Sequence, residues 1–255
     1  MTKAGELAVL ITPEELLKAI DVFDLKRRNL SVPDGSSIKT DDPSFTPRDL
    51  AEVMLSLWRC FCDPLRGFLY ISVPITSGRR EVRLLNKLSC TRSELRIQYK
   101  QYRYELIIRP NEADARRFGR SIKPLLPAWP AINPAAISVA DWGQEDYMDL
   151  WLPSIECFAT AIVITPGWAF SGGSRMELNL ALQLGLTVFD HLARLLSLQD
   201  LEVQDSRARQ TLQREGWTGN QIDTYLPPVE LQNRPFVRIR DRPSRIHRPA
   251  ATWWR

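Results

Sequence analysis

Apolar and polar positions fall into two regimes along the chain. Up to about Gly67 the pattern is helical. Thr12-Pro13-Glu14-Glu15 supplies an N-cap, a proline and an acidic first turn before Leu16, Leu17 and Ile20. Thr46-Pro47-Arg48-Asp49 repeats that signal, with proline at the first helical position and apolar residues at helical spacing from Leu50 to Phe61. A loop rich in Pro, Ser, Asp and Gly separates them, Ser31 to Phe45. From Phe68 onward short continuous apolar runs appear, as buried parallel strands require. They are Phe68–Val73, Thr160–Thr165 and Leu186–Phe189, with a short strand end at Ala131–Pro134. Between them the spacing predicts helices over Asn111–Ile122, with Asn111 as N-cap, over Gln144–Phe158, and over Ser174–Leu184, closed by Gly185. Glu94–Ile108, rich in Tyr and Arg, is compatible with helix or strand. A long helix is expected over Leu192–Glu215, followed by a turn at Gly216–Asn220.

Strands alternating with helices from Phe68 to Asp190 indicate βαβ units and a parallel sheet covered on both faces. The expected fold is a three-layer α/β core, flavodoxin- or Rossmann-like, over residues 67–215. A helical N-terminal extension (1–66) and a C-terminal arm rich in Arg, Pro and Trp (216–255) flank it. In such sheets ligands sit beyond the carboxyl ends of the strands. The segments there, Pro74–Arg80 and Pro166–Arg175, both contain Ser, Gly and Arg, which an anion site needs.

Composition narrows the chemistry. An apolar fraction of 44% with 25% charged residues is that of a soluble globular chain and excludes wholesale disorder. The net charge of +4 is small, but seven of the 34 basic residues lie in Arg234–Arg255. That tail interleaves Arg with Pro and aromatics and could contact nucleic acid. Phe236, Trp253 and Trp254 favour instead an arm packed on its own body or on a neighbouring subunit of a homo-oligomer. Cys60, Cys62, Cys90 and Cys157, with only His191 and His247, assemble no zinc spacing, so no metal is expected. No G-x-S-x-G elbow or triad context is present. No apolar run reaches the ~18 residues of a membrane span, and no secretory start is evident, so a cytoplasmic protein is expected. Any catalysis therefore rests on carboxylates.

The most informative stretch is Gly167-Trp-Ala-Phe-Ser171-Gly172-Gly173-Ser174-Arg175-Met-Glu177, a strand, a glycine-rich turn and a helix start that aim backbone N–H groups at a ligand. It misses a P-loop, since Gly173 stands where the lysine belongs. Ser174-x-x-Glu177 also fits a capping box, in which Glu177 only bonds back to the backbone of Ser174.

Thr160-Ala-Ile-Val-Ile-Thr-Pro-Gly-Trp-x-x-Ser-Gly-Gly-x-Arg-x-Glu-Leu, continuing to Val188, resembles the nucleoside 2-deoxyribosyltransferase-like superfamily of deoxyribosyltransferases and nucleotide N-glycosidases. Tyr70-Ile-Ser-Val-Pro-Ile-Thr-Ser-Gly-Arg resembles its first strand and phosphate-side turn. Trp142-x-x-x-Asp146-Tyr147-x-Asp149-x-Trp151 resembles its acidic helix. The similarity runs from Phe68 to Phe189. It implies Glu177 as the nucleophilic glutamate, Asp149 as its partner carboxylate, Tyr70 near the glycosidic bond and Ser171 on a phosphate. Thr160 replaces the family's usual aspartate, and Val73-Pro74 a more usual Gly-Pro or Gly-Ser.

Cleaving an N-glycosidic bond builds positive charge on the sugar, which an ionised carboxylate beneath C1′ stabilises and can trap covalently. Asp149 would supply the proton the departing base needs. Ser171, Gly172, Gly173 and Ser174, with Ser77, Gly78 and Arg79 on the other side, would hold a 5′-phosphate. The expected activity is hydrolysis or base exchange of a nucleoside 5′-monophosphate, with a nucleotide or nucleoside as small-molecule partner and no cofactor. A non-catalytic nucleotide-sensing or scaffold module of the same fold, or an NAD-cleaving glycohydrolase, stays open.

Overall fold

The computed structural model describes Leu55 and residues 67–127, 129–136 and 144–230. The two helices expected before residue 67, Trp142, and the tail from Arg234 lie outside the described residues. Leu55 itself is helical and packs in the core.

Among the described residues four strands form one sheet: β1 (Phe68–Ser72), β2 (Ala131–Ile132), β3 (Ala159–Ile164) and β4 (Thr187–Phe189). All pairings are parallel, and the order is β2-β1-β3-β4. Tyr70 stands beside Ile162 and Ser72 beside Ile164. From β1 the chain steps one way to β2 and the other way to β3 and β4. The carboxyl ends of β1 and β3 therefore flank the switch point where open α/β sheets bind ligands.

The two-residue period of β1 divides the molecule. Leu69, Ile71 and Val73 join Ala161, Val163, Ala115 and Ile122 in one core. Here the covering helix is α3 (Arg109–Leu125). Phe68 and Tyr70 face the larger core on the other side, with Ile162, Val188, Leu150, Trp151 and Leu178. That layer contains α1 (Arg79–Leu88), α2 (Arg92–Ile97), α4 (Gln144–Phe158), α5 (Gly172–Gln183), α6 (Leu198–Arg214) and α7 (Gly219–Tyr225). Helices on both faces make the three-layer α/β core. Among the described residues no helix is long and apolar enough to cross a membrane.

Four local readings change. The ambiguous Tyr/Arg segment is helical: Lys100–Arg103, a π-helical Tyr104–Ile108 and α3 follow one another without a break. Pro110, whose missing N–H leaves the ladder a bond short, coincides with the switch to π spacing. Asn111 is thus inside a helix and is no N-cap. Its amide donates to the carbonyls of Ile75 (2.9 Å) and Ser77 (3.0 Å), pinning the turn after β1. The helix after β3 starts at Gly172, capped by Ser171, whose hydroxyl accepts from the Ser174 amide at 3.3 Å. The long helix begins only at Leu198, because Asp190 holds the amides of Leu192 and Arg194 in a turn (2.9 Å each) and Ser197 caps the new start.

Residues 216–230 also belong to this body and do not stand apart with the arm. Tyr225 packs in the larger core, and the chain then runs along α5. Arg175, buried in the first turns of α5, fixes it there. Its guanidinium donates to the carbonyls of Pro227 (2.6 Å) and Ala169 (2.9 Å) and pairs with Asp205 of α6 (2.5 Å). Removing one partner of a buried, hydrogen-bonded pair strands the other. Arg175→Ala is expected to lower stability by roughly 3 kcal/mol, read from urea unfolding. A loss below about 1 kcal/mol would mean the clamp is not what holds this layer.

Candidate functional site

The alternation that buries Phe68 and Tyr70 places Ser72 on the same face, at the carboxyl end of β1. Glu177, six residues after the Ser171 cap, points from α5 back to that strand. Tyr70 Oη donates to Glu177 Oε1 at 2.7 Å and Ser72 Oγ donates to Oε2 at 2.5 Å. All three residues are buried, Glu177 at 6% exposure. The N-cap is Ser171 and Glu177 reaches across to β1, so the capping-box reading fails.

Burial raises the Glu177 carboxyl from its ordinary value to about 7, even though the bonds from Ser72 and Tyr70 pull it down. Tyr70 is pushed well above the ordinary phenol value by its own burial and by the neighbouring carboxylate. The phenol therefore stays a neutral donor. Each carboxylate oxygen accepts one hydroxyl and keeps a further lone-pair site. Trp151 of α4 closes the other side, its ring 6.0 Å from that of Tyr70.

Above this group two loops meet. Ser77 and Ser171, both buried, join hydroxyl to hydroxyl at 2.9 Å and tie the turn after β1 to the start of α5. Gly172 and Gly173 open the helix. A Cβ at Gly172 would meet nothing within 4 Å, whereas one at Gly173 would lie 3.0 Å from Gln144 Nε2 and 3.8 Å from Met148 Sδ. The first residue of α4 thus leans over the first turn of α5. Thr76 Oγ1 holds it there, donating to Gln144 Oε1 at 3.0 Å. Ser174 is buried with its hydroxyl unpartnered.

Of the residues expected from sequence, the structure gathers Tyr70, Glu177, Ser77, Ser171, Gly172, Gly173 and Ser174 around the ends of β1 and β3. Gly78, at φ 95°, turns the chain into α1 without a side-chain cap. Two expected residues sit differently. Asp149 is exposed and bonds to no described residue. It lies two positions before Trp151, roughly 200° round α4 at ~100° per residue, so it faces away from Glu177. Arg79 is bound elsewhere, by Glu215 at 2.5 Å and by the Phe170 ring, 4.9 Å from its centroid. Thr160 lies at the amino end of β3, where its hydroxyl donates to the Phe68 carbonyl at 3.3 Å. That is about 16 Å of strand from Thr165 at ~3.3 Å per residue, so this departure does not touch the site. Sequence reasoning missed Ser72, Thr76 and Gln144. The signal for Ser72 was present, two residues after Tyr70 in a strand.

A cavity of ≈ 70 Å³ opens at the same strand ends, among Val73, Ser77, Arg79, Asn111, Thr165 and Gly167. It takes in Ser77 and Arg79 of the expected phosphate side but not Glu177, and is far below the ~300 Å³ of small-molecule pockets. A larger hollow of ≈ 320 Å³, at Leu195, Leu196, Ser197 and Asp200, touches none of these groups. Among the described residues no cluster of His, Cys, Asp and Glu could hold a metal ion. No family model matches the chain, and no curated protein or solved structure matches it.

The buried carboxyl has a measurable cost. Glu177 ionises near 4.5 when unfolded and near 7 when folded. Between those values the folded state holds the extra proton, so stability falls as pH rises. The loss is on the order of 3 kcal/mol by pH 8 from this group alone. Denaturation of the wild type at pH 4.5 and pH 8 is expected to show that decline, and Glu177→Gln is expected to remove most of it. An equal decline in both proteins would place its origin elsewhere.

Proposed function

We propose that the chain cleaves the N-glycosidic bond of a nucleoside 5′-monophosphate, by hydrolysis or base exchange, with Glu177 as the carboxylate beneath C1′. The observation that carries this reading is the buried Glu177 held by Tyr70 and Ser72 at the switch point of the sheet. A carboxylate fixed on both oxygens and shielded from water is suited to stabilising a sugar cation. The resemblance of Tyr70–Arg79 and Thr160–Val188 to deoxyribosyltransferases and nucleotide N-glycosidases supports the same reading.

In this mechanism an oxygen of Glu177 bonds to C1′ as the C1′–N bond breaks and the electron pair leaves with the base. Water, or the nitrogen of a second base, then attacks C1′ and the carboxylate departs. Asp149, on the outer face of α4, is not beside the reacting atoms, so the base takes its proton through solvent. The phosphate lies towards the Ser171–Ser174 turn, where Gly172 leaves room and α5 begins, the Ser174 N–H being held by the Ser171 hydroxyl.

The reaction needs ionised Glu177, so kcat/KM rises with pH through about 7. A panel of nucleosides, nucleoside 5′-monophosphates and NAD, with base release followed by chromatography, tests the assignment. A monophosphate is expected to be the best substrate, and Glu177→Gln to lower kcat by roughly 10³-fold or more. Asp149→Asn is expected to leave kcat/KM within a few-fold.

A second reading, a non-catalytic nucleotide-binding module, draws support from the absence of any described carboxylate partner for Glu177. Binding of a monophosphate with no base release would select it.

A further inference from the structure

The arginines near the strand ends differ in what they hold. Arg79 is committed to Glu215, Arg80 to Asp114 (2.9 Å) and Asn111 (2.7 Å), and Arg175 to Asp205. Arg92 gives three bonds of 2.8–3.2 Å to the fully buried Glu81, which also accepts from Tyr225. Arg103 is the exception. It is half-buried, and its Nη2 donates to the Thr76 carbonyl at 3.3 Å. Its Nε is buried without a partner, as are Arg79 Nη1 and Arg175 Nη2, but unlike those two arginines Arg103 pairs with no described carboxylate. Arg96, exposed, also pairs with no described carboxylate. Glu81, the acidic group that bears on Arg103, is already bonded to Arg92. Burial, with the like charges of Arg96 and Arg92 opposing Glu81, holds the Arg103 guanidinium below its ordinary value.

Such a cation is costly unless something negative meets it. Its position says where that would be. Arg103 holds the carbonyl of Thr76, and the Thr76 hydroxyl holds Gln144. The Gln144 amide nitrogen in turn lies over Gly173, at the open first turn of α5. The three residues form a strap that links the turn after β1 to the first turn of α5. It adds a guanidinium and an amide donor to the helix N–H groups.

We infer that Arg103, backed by Gln144, is the specificity-determining residue that receives the anionic group of the substrate. Arg79, the arginine expected from the sequence, is not. The inference rests on the proposed function and names the charge that would separate a sugar phosphate from a neutral sugar. One charge-assisted pair is worth about tenfold to a hundredfold in binding.

Ribose 5-phosphate and ribose serve as probes, because they need no knowledge of the base. Their dissociation constants are measured calorimetrically at fixed ionic strength for the wild type, R103A, R103K, Q144A and R79A. The wild type is expected to prefer the phosphate at least about tenfold. R103A is expected to lose that preference, R103K to keep part of it, Q144A to weaken it, and R79A to retain it. R103K retains the charge and most of the stem, which guards against a folding defect in R103A. No preference in the wild type, or an unchanged preference in R103A, overturns the inference. Base release dependent on Glu177, with a phosphate preference indifferent to Arg103, would leave the proposed function standing and remove this assignment. A preference dependent on Arg103, with no base released from any substrate, would do the reverse.

Discussion

A carboxylic acid taken almost wholly out of water must find donors or take up a proton, and Glu177 does some of both. Two hydroxyls from one strand, Tyr70 and Ser72, meet its two oxygens. Both come from the face of β1 that also forms the larger core, so site and core share a surface. The bonds join α5 to β1, a strand that neighbours β3 without being adjacent to it in sequence. Two hydroxyls offset only part of the burial, which leaves the carboxyl titrating near neutrality. A group poised there can serve as an ionised nucleophile at physiological pH, at some cost to stability.

The sheet supplies the rest of the arrangement. With β1 and β3 adjacent and their connections leaving in opposite directions, the turn after β1 and the start of α5 meet above Glu177. Ser77 and Ser171 fasten that meeting, and Asn111 fastens the turn from the α3 side. Gly173 lets α4 come close enough for Gln144 to cover the first turn of α5. The hydroxyls of Ser77 and Ser171 and the first turn of α5 come together there, and the carboxylate lies beneath them.

Much of this was legible in the residues. Continuous apolar runs at Phe68–Val73 and Thr160–Thr165 marked the central strands, because strands buried on both faces have little room for polar residues. The glycine-rich turn marked the start of α5 to within two residues. Ser171 and Ser174 are both credible caps, and only the fold decided between them. Asp149 was misplaced although α4 carried the warning: Leu150, Trp151, Ser154 and Ile155 define its buried side, and Asp149 lies outside that stripe. Arg79 and Arg103 could not be separated from sequence. Their difference depends on Glu215 and Thr76, partners far along the chain, and on a π-helical segment with no signature beyond Pro110.

The central claim is that Glu177 is a buried carboxyl balanced by two β1 hydroxyls. A ¹³C NMR titration of the glutamate side-chain carboxyls, with the Glu177 signal assigned by its loss in Glu177→Gln, tests it directly. The account predicts a midpoint near 7 in the wild type and a higher one in Ser72→Ala, where a bond favouring the ionised form is gone. A wild-type midpoint near 4.5, unchanged by Ser72→Ala, would contradict it.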